Sequence, residues 1–478
     1  DGARVGGETL RLLRAGGFGR GLGRGIAASG KMNEEGVERA LRALKRFRAL
    51  ASQARSVTMH VLATAAAREA SRIGQADLFG IHVGDMRIDG PAVMQRVRSE
   101  RDRFARMTRE SFESLPDGIA LKACARFDGP NRLALDDGRT VEARTIVIAT
   151  GSKAALPPPF AALGDRVLTN ETVFELDDLP RSLAVVGSGA IGLELAQAFA
   201  HLGVSVNLFD REETMGRVRC PKVHDALADI VGSDMTVHLG VDVKPERTDN
   251  GVRVSWSGKD EGEAEFDLLL AAIGRPPSLG ALNIEKAGIE LNDRGVPVHD
   301  RSTMRCGDSA IFIAGDAASD LPLLHEASHD GAIAGRNAAA FPAPIPTERH
   351  VPFSIIFTDP PLASIGESEA DGAVTGTADY SDQGRARVDG RNEGILTLYA
   401  KAPDGTLIGA DLIAPGGEHL AHMLAWAIER GTTASELLKL PFYHPTIEEG
   451  LRSALRTICG ATPIPLPQDQ DTGTPPGA

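Results

Sequence analysis

The chain has 478 residues, enough for about three domains at roughly 150 residues each. Its 52 Lys and Arg against 65 Asp and Glu leave a net charge of −13, which repels a phosphate backbone and argues against a nucleic-acid partner. No run of ~20 apolar residues can span a bilayer, and no apolar core of a secretory signal stands near the start, so a cytoplasmic protein away from membranes is expected.

Residues 15–30 are rich in Gly and Arg and read as a loop. Asn33 is placed as an N-cap with Glu34 and Glu35 in the first turn, and Val37, Leu41, Leu44, Phe47 and Ala51 recur at helical spacing, predicting a helix over 34–54. Val57, Met59 and Val61 alternate as a strand would. Asp89-Gly90-Pro91 opens a second helix with Val93, Val97, Phe104, Met107 and Phe112 as its apolar stripe. Residues 132–150 read as a hairpin turning at Asp137-Gly138, with its second strand running into Ile146-Val147-Ile148. Buried strands are expected at 268–273 and 311–314, and the prolines at 342, 344, 346 and 352 mark a linker. Beyond it, strands mix with helices around 417–430 and 447–458, and the last eighteen residues read as a disordered tail.

Cysteines at 124, 220, 306 and 459 stand too far apart in sequence for a C-x-x-C ligand set or a local redox pair, so neither a metal site nor a disulfide scaffold is expected, while a redox disulfide between distant cysteines stays open.

The strongest chemical signal is Val185-Val186-Gly187-Ser188-Gly189-Ala190-Ile191-Gly192. It follows an apolar strand beginning at Leu183, opens a helix to Leu202, and is followed by a second strand from Val204 to Phe209. In this context Gly187 permits the tight turn, Gly189 lets a pyrophosphate approach the backbone, and Gly192 lets helix and strand pack closely. Asp210 closes the second strand, where a carboxylate accepts from ribose hydroxyls; that favours NAD, although Arg211 beside it leaves NADP open. Thr150-Gly151-Ser152 and Gly315-Asp316 end two further strands, and with the nucleotide fold they point to a second cofactor.

From about residue 75 to 460 the chain resembles the pyridine nucleotide–disulfide oxidoreductases, most closely the dihydrolipoyl dehydrogenases. Six motifs carry the resemblance in the family's order: TIVIATGS (145–152), VVGSGAIGLELA (185–196), LAAIGRPP (270–277), IFIAGDAA (311–318), FTDPPLASIGE (357–367) and HPTIEEGLRSAL (444–455). The resemblance implies an α/β flavoprotein homodimer with two doubly wound, Rossmann-like nucleotide-binding domains and an α+β C-terminal dimerisation domain. The implied division is 75–155 and 276–346 for the FAD domain, 156–275 for the NAD domain and 347–460 for the interface domain, with 461–478 as the tail. It implies that Gly187, Gly189, Gly192, Asp210 and Gly274 contact NAD, and that Thr150, Gly151, Ser152, Asp316, Leu323, Leu324 and His325 contact FAD. It also implies that His444 is an acid/base reaching into the other subunit, oriented by Glu449, and serving a dithiol or lipoyl-type substrate. Histidine titrates near neutrality, so it can take a dithiol's proton and return it, and a carboxylate partner fixes its tautomer.

The family begins with a strand, a GxGxxG turn on the FAD pyrophosphate and a helix bearing C-x4-C. Here the glycines at 16–25 follow no apolar strand, and no two cysteines are five apart. FAD thereby loses its phosphate cradle and the reductase its electron-accepting disulfide, so poor lipoamide reduction is expected. Residues 1–74 instead resemble part of an exopolyphosphatase or guanosine-pentaphosphate phosphatase, through GRGIAASGKMNEEGVERALRALKRF (23–47) and VLATAAAREA (61–70); with no initiating Met, a fusion, a recombined gene or an assembly artefact is the simplest account. A non-catalytic NAD-binding dimer and a phosphatase fragment stand as alternatives. If flavin binds without the disulfide, NADH oxidation by oxygen is a further one.

Overall fold

A computed structural model describes residues 55–368 and 372–463. The expected helix over 34–54, the Gly/Arg-rich loop, the phosphatase-like stretch 23–47 and the tail from 464 lie outside the described residues.

In chain order, helix α1 (Arg55–Gly74) and helix α2 (Gly90–Glu113) precede strands β1 (Ala125–Gly129), β2 (Arg132–Leu135), β3 (Thr140–Glu142) and β4 (Ile146–Ile148). Next come β5 (Val167–Leu168), β6 (Ser182–Val186), α3 (Ala190–His201), β7 (Ser205–Asp210), α4 (Pro221–Asp234) and β8 (Thr236–Leu239). Strands β9 (Val241–Arg247), β10 (Val252–Gly258), β11 (Gly262–Phe266), β12 (Leu268–Ala271) and β13 (Ile311–Ile313) lead to helix α5 (Leu324–Ala340). The remainder holds β14 (Phe353–Ile356), β15 (Leu362–Gly366), β16 (Val374–Asp379), β17 (Ile395–Ala400), β18 (Leu407–Ile413), α6 (Gly417–Glu429), α7 (Ala434–Leu438) and α8 (Gly450–Ala461).

The chain divides into two compact units. The first gathers Phe104–Ser152 and Pro277–Glu348. In it the antiparallel sheet β1-β2-β3 accompanies a parallel pair, β4 beside β13, against which α5 packs. Ile146, Ile148, Ile311, Phe312 and Ile313 form its core with Ile333 and Ala334 of α5. These strands read as unbroken apolar runs because a parallel pair is covered on both faces.

The second unit holds Ser56–Arg103, Lys153–Pro276 and the chain from Arg349 onward. Its five-stranded parallel sheet runs β5-β12-β6-β7-β8, each neighbour pair in parallel register. Leu183, Val185, Leu193, Leu195, Leu208 and Leu227 pack in one core between the sheet and helices α3 and α4. A separate antiparallel sheet, β11-β10-β9, lies in the same unit, with Val252, Val254 and Phe266 buried alongside Phe209 and Leu269. The C-terminal part is an antiparallel sheet, β14-β15-β18-β17-β16, with α6 packed on β15 and β18 and α8 on β16 and β17. Its strand β18 is buried at every position, as fits a central strand covered on both faces.

Two sequence expectations are overturned. The alternation of Val57, Met59 and Val61 does not make a strand; those positions lie in α1. The alanine-rich run that follows has the highest helix propensity, and helical spacing brings Ala67 and Ala70 to one buried face, where Ala67 packs with Ala198 and Leu202 of the α3 region. The second arm of the hairpin also stops short. β3 pairs antiparallel with β2 around Gly138, at φ +85, but ends at Glu142, and Ile146–Ile148 crosses to pair parallel with Ile311–Ile313. A polar-faced hairpin arm has no use for two buried isoleucines, whereas a covered parallel pair does.

Candidate nucleotide and acid/base sites

The nucleotide turn is built from three glycines with different tasks. Gly187 leaves β6 at φ +105, and a Cβ there would sit 2.4 Å from the Ala272 carbonyl oxygen at the end of β12. At Gly192, in the first turn of α3, a Cβ would lie 1.8 Å from the carbonyl oxygen of Gly187. At Gly189, which precedes the first helical residue, a Cβ would meet nothing within 4 Å. The first two glycines therefore allow backbone to touch backbone, and the third keeps open the approach to a helix N-terminus whose N–H groups attract phosphate.

Asp210, the last residue of β7, accepts from the Ser188 backbone N–H at 2.5 Å and from its hydroxyl at 2.6 Å, while its other oxygen accepts from the Glu212 N–H at 3.0 Å. Arg211 beside it turns to Glu212, at 3.6 Å. Gly274 follows β12 at φ +131 with open space where a Cβ would stand, and its carbonyl accepts from Ala155 N–H. These residues fit a dinucleotide: a glycine turn on a helix N-terminus, with a carboxylate at the end of the neighbouring strand.

In the other unit, β4 leads into Thr150, Gly151 and Ser152 and β13 into Gly315 and Asp316. The parallel register of these strands brings the two ends together, and the Ser152 hydroxyl donates to Asp316 at 2.6 Å. Gly151 and Gly315 both stand at φ +66, and the Gly315 N–H donates to Asp330. Leu323, Leu324 and His325 form the entry to α5, with the His325 ring half exposed. These residues fit one part of a flavin nucleotide's surroundings, a hydroxyl-rich segment next to a carboxylate. Among the described residues the only glycine-rich turn joining a parallel strand to a helix is the one at Gly187, so no second pyrophosphate cradle is matched among them.

The third constellation lies at the start of α8. The His444 ring, more than half exposed, points Nδ1 at Glu449, 3.0 Å from one carboxylate oxygen and 3.2 Å from the other. Glu449 is itself buried and also accepts from the Thr446 N–H at 3.2 Å, as part of a capping box between Thr446 and Glu449. A carboxylate facing Nδ1 requires a proton there, so a neutral His444 ring presents Nε2 as its basic nitrogen. Sequence reasoning named the pair but not the residues that hold it. The T-x-x-E spacing of the capping box was available as a signal for Thr446; nothing local pointed to Ser188 at the other site.

All four cysteines are free thiols, Cys124 exposed and the other three buried. Burial pushes the Cys306 thiol up to about 12 and raises that of Cys459, so both hold their protons at neutral pH. Among the described residues no group of His, Cys, Asp and Glu could hold a metal ion, and no helix is long and apolar enough to cross a membrane.

A parallel sheet with a glycine-rich strand–helix turn is thus joined to an antiparallel sheet whose last helix begins at a histidine–carboxylate pair, an arrangement that fits a nucleotide-dependent oxidoreductase. The sequence profile of the pyridine nucleotide-disulphide oxidoreductases matches residues 61–331, and that of the same group's dimerisation domain matches residues 352–455. The chain belongs to this family. It is 30% identical over 419 residues to the dihydrolipoyl dehydrogenase of Haloferax volcanii, covering 82% of this chain and 85% of that one. It is likewise 30% identical over 422 residues to the dihydrolipoyl dehydrogenase of Chlamydia muridarum, covering 84% and 88%. Among solved structures, LpdA from Mycobacterium tuberculosis superposes with a TM-score of 0.73 at 23% identity, covering 87% of this chain and 97% of that one. The HOCl-induced flavoprotein disulfide reductase RclA from Escherichia coli gives 0.71 at 22%, covering 83% and 89%. Proteins of the dihydrolipoyl dehydrogenase family are enzymes that use FAD and NAD(H).

Proposed function

We propose that this chain is a homodimeric, dihydrolipoyl dehydrogenase-type oxidoreductase that binds NAD(H) at the Gly187–Gly192 turn and is impaired towards lipoamide. The observation that carries the reading is the coexistence of a complete nucleotide turn with four free cysteines, no two of them five apart. NAD(H), when bound, supplies or accepts a hydride. Gly187 and Gly192 shape the turn, Gly189 and the N-terminus of α3 hold the pyrophosphate, and Asp210 takes the ribose hydroxyls. His444 Nε2 takes a proton from a dithiol and returns it, and Glu449 stabilises the ring while it is charged. The carboxylate at Asp210 disfavours a 2′-phosphate, so the nucleotide is NAD rather than NADP.

Thr150, Gly151, Ser152, Asp316 and Leu323–His325 are proposed as the remaining FAD contacts. Without a matched pyrophosphate cradle, flavin retention is weakened, and this favours a second reading: a dimer that binds NAD(H) without redox chemistry. The visible spectrum of the purified protein, with flavin per chain measured after denaturation, separates the two. Flavin near one per chain with NADH oxidation by oxygen or a dye supports the oxidoreductase. Absence of flavin after incubation with excess FAD, with NADH still bound, supports the second reading. Lipoamide turnover at the rate of an unimpaired family member run in parallel would overturn the impairment.

A further inference from the structure

The turn that carries His444 is held from below by a residue distant in sequence. Thr446 lies between His444 and Glu449, and both of its backbone polar groups are taken by buried side chains. Its N–H donates to Glu449. Its carbonyl accepts from Gln383 Nε2 at 2.7 Å. Gln383 is only 3% exposed and caps the short helix Gly384–Val388, its Oε1 accepting from the Ala386 N–H at 2.8 Å. On the same segment, the fully buried Tyr380 ring packs so closely under Gly450 that a Cβ there would lie 2.8 Å from it. Two side chains of one segment therefore bear on both ends of the turn that presents the acid/base pair.

We propose that Gln383 is a positioning residue for His444, which rests on the reading of His444 as the acid/base. The amide has two ends with separate tasks. Its oxygen closes the short helix, and its nitrogen fixes the Thr446 carbonyl and so the plane of the Thr446–Ile447 peptide, through which the chain enters the turn carrying Glu449. With that peptide fixed, the Glu449 carboxylate is shared between the Thr446 N–H and His444 Nδ1, which sets one tautomer of the ring. Without the donor at 383, the Thr446 carbonyl is left unpaired or turns to water, and the rotation of the Thr446–Ile447 peptide that follows shifts the turn carrying Glu449 away from the Thr446 N–H and the His444 ring. A substitution of Gln383 thus alters the ring through its support, without touching substrate.

Gln383→Glu separates the two tasks. Its carboxylate, while ionised, keeps an acceptor for Ala386 and sets a second acceptor against the Thr446 carbonyl, so the cap survives and the clamp does not; a protonated carboxyl donates to that carbonyl and restores the clamp. Gln383→Met preserves the volume and removes both. The experiment uses the full-length protein labelled with 13C and 15N at histidine, with the His444 signals assigned by their loss in His444→Asn. It is run at a pH where the ring is neutral, and the ring shifts then report the tautomer, independently of turnover and of flavin content. The wild type is expected to hold the Nδ1–H form. In Gln383→Met, and in Gln383→Glu while its carboxylate is ionised, the ratio of Nε2–H to Nδ1–H should rise by about tenfold, the effect of losing one buried hydrogen bond. A Gln383→Met protein that keeps the single tautomer would overturn the proposal, because it has no donor for the Thr446 carbonyl. Where Gln383→Glu folds with its carboxylate ionised, it decides by the same criterion and separates the clamp from the helix cap. Should the wild-type ring prove not to hold the Nδ1–H form while the variants match it, the proposal fails, whereas a lack of dithiol turnover bears only on the acid/base reading.

Discussion

The carboxylate of Asp210 is bound to both the N–H and the hydroxyl of Ser188, the residue between the first two glycines of the nucleotide turn. The acid proposed for the ribose is therefore also the clasp of the loop proposed to receive the pyrophosphate. Ser188 is 2% exposed, so removing Asp210 strands a buried donor as well as the ribose acceptor. Asp210→Ala should weaken NADH binding about ten- to hundredfold, from an unsatisfied group costing ~1–3 kcal/mol. Isothermal calorimetry on the purified variant measures this, and a change under twofold would count against the assignment.

The three glycines of that turn should respond differently to the same change. Gly192→Ala puts a methyl group 1.8 Å from the Gly187 carbonyl oxygen and forces helix and strand apart, so both thermal stability and NADH binding should fall. Gly189→Ala meets no protein atom within 4 Å and has an ordinary φ of −72. Its melting temperature should stay within a few degrees of wild type while NADH affinity falls at least tenfold, because the methyl occupies the pyrophosphate's approach. Equal effects of the two substitutions on stability would contradict the division of tasks.

The pair at the start of α8 makes an asymmetric prediction. Glu449 is 4% exposed and serves both His444 and the Thr446 N–H, whereas the His444 side chain is 58% exposed. Glu449→Ala should cost ~1–3 kcal/mol in a urea titration through the donors it leaves unmet. His444→Asn should stay within ~0.5 kcal/mol, as surface changes usually do. Comparable losses in both would show that the histidine is structural.

A buried histidine outside these sites sets a pH dependence. His299 offers Nδ1 to the Pro297 carbonyl at 2.9 Å and Nε2 to Asp320 at 2.8 Å, so both nitrogens face acceptors and the ring fits as the cation. Burial disfavours that charge, but the Asp320 hydrogen bond, the Pro297 carbonyl and the charges of Asp320 and Asp330 outweigh it and raise the pKa above 6.5. A group raised in the folded state contributes stability that is fully present below its unfolded pKa and is lost as pH rises through the folded one. Urea midpoints should therefore decline from pH 6 upward, and His299→Gln should flatten that slope while leaving the acid limb intact. An unchanged slope in the variant would assign the pH dependence elsewhere.

Where the sequence could be read, its signals were short-ranged. The nucleotide turn lies within one strand–turn–helix–strand stretch, each of whose elements has its own periodicity, so Gly187, Gly189, Gly192 and Asp210 could be placed together. His444 and Glu449 are five apart, a separation that one turn closes. The strand expected from Val57, Met59 and Val61 failed because three alternating residues are too few to outweigh the alanine-rich helix that absorbs them.

The sequence by itself determined which segments are buried strands, where a glycine-rich strand–helix turn sits and which histidine has a carboxylate within one turn. Local periodicity and backbone sterics fix these within a few residues of each position. Only the tertiary structure decided that Ile146–Ile148 leaves its hairpin to pair with Ile311–Ile313, that Asp210 clasps Ser188 across 22 residues, and that Gln383 holds Thr446 across 63. Such contacts follow from which buried polar groups meet once the sheets have formed, and no local pattern records that meeting.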